Sequence, residues 1–158
     1  MRRVWKRNTW LQVERLPLAS FTLNSTLRQQ IIDHAVKGRP NEVCGLVGGR
    51  NRIGHTVVPL TNADLTPSVR YRINPVEFVA AYHRIERNGD ELIGIYHSHP
   101  IGAALPSSVD IAEATWPDAA YLIVGFPNDV KPELAAWSIR RGIASPIALL
   151  DEESEHGI

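Results

Sequence analysis

The stretch ELIGIYHSHPIGAALPSSVD, residues 91–110, decides how this chain is read. From Glu91 to His97 it has the apolar centre of a strand in Leu92, Ile93 and Ile95. Side chains alternate faces along a strand, so His97 and His99 point one way and Ser98 the other. Pro100 to Pro106 is a loop of small residues, after which Ser107 can cap a helix running to about Thr115. Asp110 falls in the first turn of that helix, eleven positions after His99. Two parallel imidazoles and a carboxylate swung toward them supply two nitrogens and one oxygen to a tetrahedral zinc. The fourth position stays open, which distinguishes a catalytic zinc from a closed structural one.

Hydrolysis at such a site needs a base for the attacking water. Glu42 is the candidate, because it opens the otherwise apolar run Val43-Cys44-Gly45-Leu46-Val47. A charge there is either exposed at a strand end or held for a purpose. The Ser107 hydroxyl, one helical turn before Asp110, is placed to stabilise an oxyanion. Each residue also has a structural reading. His97 and His99 can be hydrogen-bonded rings in a polar cleft, and Ser107 and Asp110 a helix cap and its third-position partner. Cys44 reads as a buried strand cysteine, with a fourth ligand as the less favoured alternative.

Outward from this centre, Phe21 to Leu23 suggests a short opening strand. Asn24 or Ser25 can cap a helix in which Leu27, Ile31 and Ala35 recur at i, i+4, i+8, ended by Gly38 and Pro40. Glu42 to Gly49 reads as a buried strand; His55 to Leu60 and Val69 to Ile73 are further strands across a polar loop. Asn74, Pro75 and Glu77 open a second helix in a capping-box-like pattern, and Gly89 stops it. Tyr121 to Phe126, Leu134 to Arg140 and Ile147 to Leu150 complete the strands. The expectation is an α/β single domain with a mixed sheet flanked by about three helices. Residues 1–19 would be an N-terminal extension, 20–150 the domain and 151–158 an acidic tail.

Lys plus Arg and Asp plus Glu number 17 each, so no basic field exists to hold nucleic acid or an anionic membrane. No apolar run approaches the ~20 residues that span a bilayer. Cys44 is the only cysteine, which excludes an internal disulfide. These features point to the cytoplasm. The basic N-terminal segment, with Trp5 and Trp10, is read as a solvated tail or as packing on a partner or a second copy, so a homodimer is possible. His34, His55 and His83 lack partners at ligand spacing and are assigned to the surface or a satisfied core. Trp116 and Trp137 are read as core or rim. Tyr71 and Arg72 are either groove lining or an ordinary edge strand.

His97-Ser98-His99, seven intervening residues, Ser107, two more and Asp110 resemble the signature of the JAMM, or MPN+, metallopeptidases. The segment from Glu42 to Gly49 is similar to the family's upstream glutamate segment, and the likeness covers roughly residues 20–141. It implies a mixed sheet related to the cytidine-deaminase-like architecture, with one catalytic Zn2+ on His97, His99 and Asp110. It implies Glu42 as the base that later protonates the leaving amine, and Ser107 at the oxyanion. The short loops resemble the prokaryotic branch. Some members of that branch release cysteine or another amine from the C-terminal Gly-Gly of a ubiquitin-fold sulfur-carrier protein, a step of cysteine biosynthesis and sulfur transfer. A deconjugating isopeptidase that removes ubiquitin-like modifiers from proteins is the alternative, and a non-catalytic carrier-binding module a third. A thin Gly-Gly tail could be held at an exposed strand edge by β-augmentation.

Overall fold

The computed structural model describes residues 19–152. The expected tails, apart from residues 19, 151 and 152, lie outside the described residues. Among the described residues there are seven strands: β1 (Ser20–Thr22), β2 (Cys44–Arg50), β3 (Ile53–Leu60), β4 (Glu91–His99), β5 (Ala120–Gly125), β6 (Glu133–Arg140) and β7 (Ile143–Leu150). Three α-helices accompany them, α1 (Ser25–Gly38), α2 (Pro75–Arg87) and α3 (Ser108–Glu113). The strands form one mixed sheet in the order β1-β3-β2-β4-β5-β6-β7 that closes on itself. Its seam is thin, since β1 meets β7 over three parallel pairs and β3 over the single pair Thr22–Ile53. β3 can therefore carry Pro59, which lacks a ladder donor.

Central β4 is paired on both sides, antiparallel to β2 and parallel to β5. Its alternation divides the interior. Tyr96 joins Phe21, Leu27, Ile31, Ala35, Leu122 and Val124 on the α1 side. Ile95 joins Leu46, Ala81, Ile85 and Tyr121 on the α2 side. Leu27, Ile31 and Ala35, the periodic residues of α1, are all buried. Each large apolar side chain taken fully out of water contributes about 1.5–3 kcal/mol. Asn24 is the α1 cap, its Oδ1 accepting from Leu27 N at 2.9 Å.

Two glycines bring backbones close enough to build the functional end. A Cβ on Gly45 of β2 would lie 2.3 Å from the Tyr96 ring, so only glycine lets that ring cross the strand. A Cβ on Gly125 would lie 2.3 Å from Ala104 N, so the loop after β4 rests directly on the end of β5.

The structure departs from expectation at two places away from the metal cluster. Val69 to Ile73 is not a strand; only an isolated bridge, Asn62 to Ile73, is formed there. Residues 61–73 instead make an irregular strap, organised by side-chain hydrogen bonds in place of a ladder. Glu77 does not close a capping box on α2. Its Oε1 accepts from Thr61 N at 2.8 Å, while Asn74 Oδ1 alone caps the helix. Among the described residues, no helix is long and apolar enough to cross a membrane.

Candidate metal centre

His97 and His99 leave the end of β4 on the face that carries Ile95, as strand alternation requires. Ser98 points the other way and is fully buried, its Oγ accepting from Val43 N at 2.9 Å. That bond and Ser98 N donating to Val43 O at 3.1 Å fix the start of β2 against the end of β4. Nothing in strand periodicity assigns Ser98 this task, though a polar residue aimed at an apolar side is its signal.

Asp110 arrives from the opposite direction, on the first turn of α3. Ser107 caps that helix: its Oγ accepts from Asp110 N at 3.0 Å, and Ser107 N donates to Asp110 Oδ2 at 2.9 Å. This reciprocal box turns the carboxylate back over the helix N-terminus and toward the histidines. His97 Nε2 and His99 Nε2 lie 3.1 and 3.0 Å from Asp110 Oδ2, and 3.1 Å from each other. His97 is 1% exposed, so bulk water does not separate these groups.

The three atoms make a triangle that could hold a metal ion. His99 Nδ1 lies 3.1 Å from Ala103 O and donates to it when it carries the ring proton. In the neutral ring this tautomer turns the Nε2 lone pair toward Asp110. A lone pair and a carboxylate 3.0 Å apart repel unless a proton or a metal ion lies between them. Tetrahedral ligands about 2.0–2.1 Å from a zinc stand roughly 3.3 Å apart, close to the spacing here. The donor set, two imidazoles and a carboxylate, also suits that ion. His97 Nδ1 adds a second mark. Among the described residues it is the only buried side-chain nitrogen or oxygen without a hydrogen-bond partner. Leaving such a group unpaired costs about 1–3 kcal/mol, which the fold accepts to turn Nε2 toward the cluster.

The site's electrostatics follow from burial and neighbours. Burial pushes Asp110 up, but hydrogen bonds from His97 and His99 outweigh it and hold the carboxyl well below the usual range. Burial lowers His97 despite Asp110. At His99 burial acts downward too, yet the bonds to Asp110 and Ala103 win and the ring is raised.

Glu42 lies two residues before β2, not within it, and is 7% exposed, so it is no solvated strand end. Burial raises its pKa to about 7, with His99 pulling it down and Asp110 and Asp64 pushing it up. Glu42 thus lies within the electrostatic field of His99 and Asp110. Tyr71, left open by the sequence, stacks on His97 with ring centroids 4.5 Å apart and planes at 21°. It forms a wall of the site from the strap. Arg72, also left open, lines the cavity behind Tyr71 with Phe78 and Trp116, and its guanidinium donates to Ala63 O at 3.1 Å.

Cys44 faces His97 across the β2–β4 ladder but is not one of the three clustered ligand groups. It is fully buried, its thiol donates to Thr61 O at 3.7 Å, and burial pushes it up to about 12. Among the described residues, the remaining histidines have ordinary partners: His34 meets the Tyr96 hydroxyl, His55 Asp90 and His83 Glu86. Trp116 packs partly buried beside α2, and Trp137 Nε1 donates to Ala104 O.

The chain is 37% identical over 108 residues to a desampylase of Haloferax volcanii, a match covering 65% of this chain and 78% of that one. It is 28% identical over 134 residues to the CysO-cysteine peptidase of Mycobacterium tuberculosis, covering 82% and 91%. A Desulfitobacterium hafniense protein of known solution structure superposes with a TM-score of 0.76 at 32% identity, covering 86% of this chain and 96% of that one. The family described as prokaryotic homologs of the JAB domain matches residues 24–140, and the chain belongs to that family, the short prokaryotic branch of JAMM/MPN proteins.

Proposed function

We propose that the protein is a zinc-dependent peptidase that hydrolyses the amide bond after the C-terminal Gly-Gly of a ubiquitin-fold sulfur carrier. The observation that carries this reading is the triangle of His97, His99 and Asp110 atoms, 3.0–3.1 Å on a side, with the buried Glu42 in their electrostatic field. His97, His99 and Asp110 would hold the ion. When bound, zinc supplies Lewis acidity toward the scissile carbonyl and acidifies water.

The chain's own residues do the rest. Glu42, held near neutrality by burial, takes a proton from water as the water oxygen attacks the carbonyl carbon. It then gives that proton to the leaving nitrogen as the C–N bond breaks, so the products are a carrier carboxylate and a free amine. Ser107 Oγ acts as an acceptor in the helix cap, which leaves its hydroxyl hydrogen available to the developing oxyanion. Tyr71 covers His97 and limits water on that side. The relative named CysO-cysteine peptidase, aligned over most of both chains, supports release of an amino acid from a carrier.

A second reading, removal of a ubiquitin-like modifier from proteins, draws on the relative named desampylase. Mass spectrometry of a Gly-Gly–cysteine carrier adduct and of a carrier–lysine isopeptide, with zinc or chelator, distinguishes the two. Metal-dependent loss of cysteine, absent in Glu42→Gln, is the expected result. Cleavage of the isopeptide alone would shift the assignment to deconjugation. Cleavage of neither, by protein shown to hold zinc, would overturn both.

A further inference from the structure

The proposed base lies outside the β-ladder, and this raises the question of what holds it. Glu42 N donates to Pro67 O at 2.7 Å, and Glu42 O accepts from Asn62 Nδ2 at 3.0 Å. Both bonds go to the strap. Asn62 occupies its root, just past the end of β3, and its amide is used to capacity. Nδ2 also donates to Arg70 O at 2.8 Å and lies 3.5 Å from Pro67 O. Oδ1 accepts from Asp64 N at 3.0 Å and from Arg72 N at 3.1 Å. A primary amide offers two N–H groups and two acceptor lone pairs, so four good bonds saturate it.

The partners have a pattern. Arg70 and Arg72 flank Tyr71, whose ring lies on His97. Asp64 is one of the negative groups acting on Glu42. One side chain thus grips the backbone of the proposed base, both neighbours of the aromatic wall and the turn carrying a nearby carboxylate. No other residue type reproduces it. Aspartate keeps the acceptors but loses both donors, and sets a negative charge against the Glu42 and Arg70 carbonyls. Glutamine moves the amide outward by one methylene.

We propose that Asn62 is a positioning residue, which sets the direction of Glu42 toward the reacting atoms and of Tyr71 over His97 through its saturated amide. This rests on the reading of Glu42 as base. Asn62 touches none of the proposed ligands, so its removal should leave metal binding intact and act on turnover.

The test compares Asn62→Ala and Asn62→Asp in the full zinc-loaded chain with the carrier–Gly-Gly–cysteine adduct. Misplacing a reacting group by about 1 Å costs on the order of 10²-fold, so kcat should fall about 10- to 100-fold while KM stays within about twofold. Zinc content should be unchanged, and Asn62→Asp should be as slow as Asn62→Ala. In a Glu42→Gln background, Asn62→Ala should cost less than about twofold further, because residues acting as a unit are not additive. A full additional loss in that background, or a loss carried by zinc content or KM, would overturn the proposal. Amide exchange provides an arm independent of turnover. The Glu42 and Arg72 amides should exchange at least about tenfold faster in Asn62→Ala, with Val124 in the ladder unchanged. Unaltered protection at Glu42 and Arg72 would overturn the proposal even if the wild-type chain cleaves neither adduct, an outcome that would separately dispose of the function proposed above.

Discussion

The end of β4 and the strap of residues 61–73 hold the two halves of the site in different ways. His97 and His99 sit on a strand laddered to β2 and to β5, with Ser98 pinned to Val43 from behind. Glu42 and Tyr71 are held by an irregular segment in which the saturated Asn62 amide is the main hub, joined by a few backbone bonds and by side-chain bonds such as those of Asp64 to Thr66 and Arg72 to Ala63. A ladder spreads its hold over many bonds, whereas a hub concentrates it in one side chain. If the proposed roles hold, binding the metal and using it are separable: two of the proposed ligands belong to the sheet, the third to α3, and the proposed base is held by the strap.

The largest effect should come from separating them outright. Glu42→Gln removes the proposed base and leaves the ladder untouched. Turnover should fall about 10²- to 10⁴-fold, the usual contribution of a positioned acid–base group. Zinc content, read by atomic emission, should match wild type. His99→Ala should do the reverse, losing both metal and activity. Loss of zinc in Glu42→Gln would show that the two halves are one unit and end the comparison.

How far the site could be read from sequence follows the same division. His97, His99 and Asp110 were legible because strand alternation and a helix cap are local rules that aim side chains predictably. Glu42 stood out as a charge before an apolar run, yet its burial was not legible. The strap covers it, and the strap follows no periodicity. Val69 to Ile73 carries β-branched and aromatic residues and reads as a strand, but it forms only the single bridge from Ile73 to Asn62. The Asn62 amide takes the Arg70 carbonyl and the Arg72 N–H that a ladder would have used. Asn62 itself looked like one more polar loop residue. The closure of the sheet was equally hidden, since three parallel pairs between β1 and β7 join residues more than a hundred positions apart. Tyr96 filling the space beside Gly45 is another long-range fact that composition does not contain.

A second way to sharpen the comparison is thermodynamic. Burial raises Glu42 from 4.5 to about 7 in the folded protein. The folded state therefore binds the proton more tightly than the unfolded chain, and stability contributed by the protonated carboxyl is complete below the unfolded pKa. It is lost as pH rises through about 7. That shift corresponds to about 3 kcal/mol at one unit per 1.36 kcal/mol. In metal-free protein, the stability of Glu42→Gln relative to wild type should improve by up to this amount between about pH 4 and about pH 8. Urea unfolding at the two pH values measures it. A pH-independent difference would mean the strap does not keep Glu42 from water.

On the ladder side, Gly45→Ala tests the frame. The new Cβ would meet the Tyr96 ring at 2.3 Å, and that ring is fully buried in the core. Overpacking of this kind costs about 1–3 kcal/mol. Because Tyr96 precedes His97 on β4, stability and zinc affinity should fall together, unlike the strap variants. A melting temperature that drops while zinc affinity stays constant would show that the sheet tolerates the shift without moving the histidines.

The smallest effect concerns α3, which belongs to neither regime: Asp110 is aimed by a cap on a helix of six residues. Ser107→Ala removes the oxygen that accepts from Asp110 N but leaves Ser107 N donating to Asp110 Oδ2, since that bond uses the backbone. Loss of a cap side chain costs about 1 kcal/mol, and Asn74→Ala at the start of α2 should cost a similar amount. Only at Ser107 should turnover fall as well, because its hydroxyl hydrogen is the one proposed to meet the oxyanion. Restoring a hydroxyl with Ser107→Thr separates the two tasks. A threonine that recovers the melting temperature but not kcat would assign the rate effect to the hydroxyl's direction, while recovery of both would leave it to helix capping and the aim of Asp110.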